Sequence, residues 1–61
     1  MLISMSEQIE TYAWRVVQEV AESKIKTCDA IEKLHPEASV PLKIRILNRV
    51  EEIVFEIKKN A

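Results

Sequence analysis

No glycine occurs anywhere among the 61 residues. Two-residue β-hairpins depend on glycine for their positive φ angles, so a small sheet protein is hard to build without it. What remains is a set of helices joined by a few irregular residues. The two prolines, Pro36 and Pro41, mark one such joint.

The hydrophobic pattern leads to the same class. From about Ser6 to Leu34 the polar positions Thr11, Arg15, Gln18, Glu22, Lys26, Asp29 and Lys33 fall on one stripe at 100° per residue. Opposite them lie Ile9, Tyr12, Ala13, Val16, Val17, Val20, Ala21, Ile25, Cys28, Ile31 and Leu34. The alignment holds throughout and predicts one long helix over about 6–34. Ser4 and Ser6 are both candidate N-caps, and Glu7 stands three residues after Ser4, the capping-box spacing. The pairs Glu22–Lys26 and Asp29–Lys33 support the helix at i,i+4. The alternative is a break near Ser23–Thr27, where either residue can cap a new helix, giving a three-helix monomer.

Pro36 forces His35 out of the helical region, so a turn is expected over about 35–40. Ser39 or Val40 then caps a second helix over about 41–59, with Pro41 in its first turn, where a missing N–H costs nothing. Lys58 and Lys59 suit its negative end. The expected fold is thus an all-α helical hairpin, one domain spanning 1–61.

Such a hairpin leaves too much hydrocarbon uncovered. Its apolar residues spread over roughly 220° of each helix, where packing on one side needs little more than about 100°. The long helix, about 43 Å, also outreaches the second, about 28 Å. A homodimer forming a four-helix bundle would cover both the sides and the overhang. The interface expected on this basis consists of Ile9, Tyr12, Trp14, Val16, Ile44, Val50, Phe55 and Ile57.

Composition bounds the function. The formal charge of −1 gives no bulk attraction to nucleic acid or anionic membrane. No apolar run approaches a membrane span of about 20 residues, and Met1–Met5 is too short and uncharged for a signal peptide. With one cysteine, Cys28, there is no internal disulfide. A cytoplasmic protein without membrane attachment is expected.

Chemistry-bearing residues are few. His35 is the only histidine, lies in the turn and is expected to be exposed, without metal ligands at suitable spacing. Cys28 is expected to be a buried structural cysteine, with His35 on the same side seven residues on. Glu51, Glu52 and Glu56 read as a solvated acidic face. Lys43, Arg45 and Arg49 are more informative. They occupy the first turns of the second helix, where the dipole disfavours cations. One reading is a patch for nucleic-acid phosphates; the other is pairing with Asp29, Glu32 and Glu37. No motif calls for a cofactor or for catalysis. The sequence favours a small helical interaction or regulatory module, self-associated and acting on another protein, with a nucleic-acid-binding regulator as the alternative.

Overall fold

The computed structural model describes residues 4–60. The expected apolar lead at Met1, Leu2 and Ile3 lies outside the described residues. Three helices follow in order: α1 (Met5–Ser23), α2 (Thr27–Leu34) and α3 (Val40–Lys59).

Helix α1 begins where the sequence marks it. The Ser4 hydroxyl accepts from the Glu7 N–H at 3.2 Å, satisfying one of the donors that the first turn leaves open. The helix stops at Ser23. Lys24 adopts φ 55° and ψ 40°, and its N–H closes on the Val20 carbonyl at 2.9 Å. This is a left-handed C-terminal cap of the kind glycine usually provides.

The single long helix over 6–34 is therefore corrected: Lys24–Lys26 interrupt it, and the chain folds back on itself there. Length gives an independent check. A continuous helix would be about 43 Å long, whereas the longest extent of the molecule is 35 Å. The three-helix arrangement foreseen for a break near Ser23–Thr27 is the one observed.

Helix α2 has only eight residues, too few to persist alone in water. Packing holds it: Ala30 and Ile31 are buried against α1 and α3. The turn after it is closed by the Ala38 N–H donating to the His35 carbonyl at 3.2 Å. Helix α3 then starts as expected, with the Ser39 hydroxyl accepting from the Leu42 N–H at 3.4 Å and Pro41 in the first turn.

The core is small. Ala13 and Val16 from α1, Ala30 and Ile31 from α2, and Ile46, Val50 and Ile53 from α3 are buried together. Ala13 and Ala30 have almost no side chain, so the backbones of α1 and α2 can approach closely there. Among the described residues, no polar or charged residue is buried, so nothing in this core carries the cost of an unpaired charge.

Candidate functional site

Two of the eight expected interface residues belong to the chain's own core instead. Val16 and Val50 are completely covered by the other helices. Both lie in the core that α1, α2 and α3 build together. Ile9 and Tyr12 are half-buried. The overhang also disappears, because the last turns of α3 reach Trp14. That indole shares a shallow groove with Ile53, Ile57 and Asn60.

Four expected interface residues remain open to solvent. Trp14 and Ile57 are about half exposed and meet on one side of α3. Ile44 is half exposed and Phe55 is 65% exposed. At 100° per residue they point away from Ile57 by roughly 140–160°. Apart from Met5 at the start of α1, the large hydrophobics left uncovered among the described residues therefore divide between two places on opposite sides of α3. Val40, at 68% exposed, adds to the Ile44 side, a residue not foreseen at the interface because it was read as a possible cap. Beside it runs a groove between α2 and α3, lined by Cys28, Ile31, Ile44 and Leu47.

The three cations of α3 do not form one patch. At 100° per residue Lys43 points roughly 160° away from Arg45. Lys43 pairs with Glu32 of α2 at 2.8 Å, one of the pairings the sequence suggested. Arg49 makes a two-pronged pair with Glu10 of α1: Nε donates to Oε2 at 2.6 Å and Nη2 to Oε1 at 2.8 Å. Its Nη1 donates to Glu52 at 3.0 Å. The Trp14 indole N–H completes the cluster, donating to Glu10 Oε1 at 3.0 Å. Two donors converging on Glu10, chiefly Arg49 and then Trp14, hold its carboxyl down at about 2, and Glu10 with Glu52 raises the Arg49 guanidinium above its ordinary range. Sequence reasoning missed Glu10 as the partner of Arg49. The two lie 39 positions apart, and no local spacing signals such a pair. Arg45 is exposed.

His35 corrects its expectation too. It is half-buried, with its ring stacked on Tyr12 at 4.2 Å between centroids. Its Nε2 is buried without a hydrogen-bond partner. Burial, and then the charge of Arg15, push its pKa down. Cys28, expected in the core, is exposed at the α2–α3 groove. The two line different cavities, His35 with Tyr12 and Leu42, Cys28 with Ile44 and Leu47. Glu51, Glu52 and Glu56 border one shallow depression with Arg49. Among the described residues, no group of three or more His, Cys, Asp or Glu could hold a metal ion, and no helix is long and apolar enough to cross a membrane.

No protein-family model, curated protein or solved structure matches this chain.

Proposed function

We propose that this chain is a small helical interaction module without catalytic activity, which pairs with a second copy of itself and offers the pair to another protein. One observation supports the reading above others: apart from Met5 at the start of α1, the large apolar side chains left exposed among the described residues gather in two separate places, Trp14 with Ile57 and Ile44 with Val40 and Phe55, on opposite sides of α3. Large half-exposed aromatic and aliphatic side chains are typical anchors of protein interfaces. Two such surfaces allow one to serve self-association and the other a further partner.

The four-helix bundle expected from two hairpins takes a different form in this proposal. With three helices per chain, two copies would give six helices, and α3 would contribute the shared surface. Sedimentation equilibrium at micromolar concentration tests it. A mass of about twice 7.1 kDa is expected; a mass of a single chain at all concentrations would reject self-association. Trp14→Ala should leave the dimer intact and weaken capture of a further protein.

Binding to nucleic acid has less support. Lys43 and Arg49 already satisfy carboxylates of their own chain, which leaves Arg45 to meet phosphate. A low-salt gel shift in which Arg45→Ala abolishes binding to a duplex would restore that reading.

A further inference from the structure

We infer that the partner on the Ile44–Phe55 side is a second copy of this chain, docked through an antiparallel pairing of the two α3 helices. This rests on the self-association proposed above and specifies its surface and direction.

Helix α3 carries a second stripe opposite its core face. Ile44, Asn48, Glu51 and Phe55 follow one another at spacings of four, three and four, the pattern of a coiled-coil seam. At 100° per residue they lie within a band of about 60°. All four are exposed. The stripe is apolar at both ends and polar in the middle.

That order is self-complementary in only one direction. In a parallel pairing Glu51 would face Glu51 of the second copy, and like charges would meet at the centre of the seam. With the second α3 reversed about a two-fold axis between Arg49 and Val50, Ile44 faces Phe55 of the second copy, and Phe55 faces Ile44. Asn48 faces Glu51 on both sides of the axis, so an amide N–H₂ donates to a carboxylate. The Phe55 ring then arrives at the α2–α3 groove, where Cys28, Ile31 and Leu47 line the wall together with the paired Glu32 and Lys43.

The flanks of the stripe give an independent test of direction. Antiparallel helices bring like flanks together, whereas parallel helices bring unlike flanks together. One flank of α3 carries Arg45 and Glu52, both exposed. The other carries Leu47 and Val54, both partly buried and apolar. Reversal sets Arg45 against Glu52 of the second copy, twice, and Leu47 against Val54, twice. Parallel pairing would set charges against hydrocarbon. Glu52 gives one oxygen to Arg49 of its own chain, and its other oxygen is available to Arg45 of the second copy. Charge pattern and apolar pattern thus select the same partner and the same orientation.

A charge exchange tests this. Arg45→Glu alone and Glu52→Arg alone each place like charges on both ends of the flank, and each should raise the dimer dissociation constant at least about tenfold. An equimolar mixture of the two variants restores opposite charges at every flank position, so a heterodimer of near wild-type strength is expected by sedimentation equilibrium. Helix content is followed by circular dichroism. Should either reversal unfold the chain, Arg45→Gln and Glu52→Gln provide the same comparison, each weakening the dimer severalfold. A wild-type mass of one chain overturns both self-association and this seam. A wild-type dimer that neither the reversals nor the glutamines weaken, or a mixture of reversals that fails to recover, overturns the α3 seam alone.

Discussion

Lys24 stands at φ 55°, the single positive φ among the described residues. For a residue with a Cβ this region costs about 1–2 kcal/mol, because the Cβ crowds the carbonyl oxygen that follows. Glycine avoids that contact, but it also gains freedom in the unfolded chain. Lys24→Gly is therefore expected to stabilise the protein by a net of about 0.5–1 kcal/mol, read as an upward shift of the urea midpoint at unchanged slope. A fall in the midpoint would mean that the left-handed cap is not what ends α1. His35 provides a second residue-scale expectation. Its pKa is lowered in the folded state, by burial and by Arg15, so the unfolded chain binds more protons between the folded and unfolded values. Stability is then complete above the ordinary value near 6.5 and declines as the pH falls through that window. The thermal midpoint should drop between about pH 7 and about pH 5. Glu37 borders the same cavity, and its negative charge would favour the protonated ring, so the drop should be small. His35→Phe keeps a ring against Tyr12 and removes the proton, and should flatten the profile in this window. The further loss below about pH 4.5 should survive that substitution, since it belongs to Glu10, held at about 2, and to Glu19, lowered mainly by its hydrogen bond with Lys33.

At the scale of elements, what could be read from the sequence was whatever a local signal encodes. Ser4 with Glu7 marks the start of α1, and Ser39 with Pro41 marks the start of α3; both appear where the residues place them. Removing the second cap by Ser39→Ala should cost about 0.5–1 kcal/mol, measured as a lower urea midpoint. The Ser39–Leu42 bond is long at 3.4 Å, which places the cost toward the smaller end of the usual range. The break between α1 and α2 was not legible as the preferred reading, and the reason is geometric. Three residues leave the helix, Lys24 to Lys26, but the spacing across them is that of a helix: Glu22 and Asp29 stand seven positions apart, close to two helical turns. The polar stripe of Thr11, Arg15, Gln18 and Glu22 therefore resumes in phase at Asp29 and Lys33, as though nothing intervened. A lysine in the left-handed region carries no sequence mark either, because glycine or asparagine is what one looks for there. Of the site, the exposed apolar residues of α3 could be found from periodicity. The Glu10–Arg49 pair could not, since it exists only after α1 and α3 have been laid together.

For the molecule as a whole, the decisive quantity is how little interior 61 residues can make. Among the described residues seven buried side chains form the core, and two of them are alanine. A domain of this length buries only about 60% of the surface its unfolded chain exposes, so each interior side chain matters. Ile46 is fully buried, and Ile46→Ala should cost about 2–5 kcal/mol, enough to unfold much of the population at 37 °C. The same shortage makes association a source of stability. If a dimer forms only from folded chains, a tenfold rise in concentration adds about 1.4 kcal/mol per dimer, or about 0.7 per chain. For a domain of this size that raises the thermal midpoint by about 3–5 °C per decade of concentration. Phe55→Ser removes an anchor that is 65% exposed in the single chain, so the folded protomer loses little by it. The expected result is a midpoint that climbs with concentration in the wild type and stays level in Phe55→Ser, the two converging at high dilution. A wild-type midpoint independent of concentration from about 1 to 100 μM would mean that three helices suffice by themselves, and that the hydrocarbon at Ile44 and Phe55 is tolerated in water without a second copy.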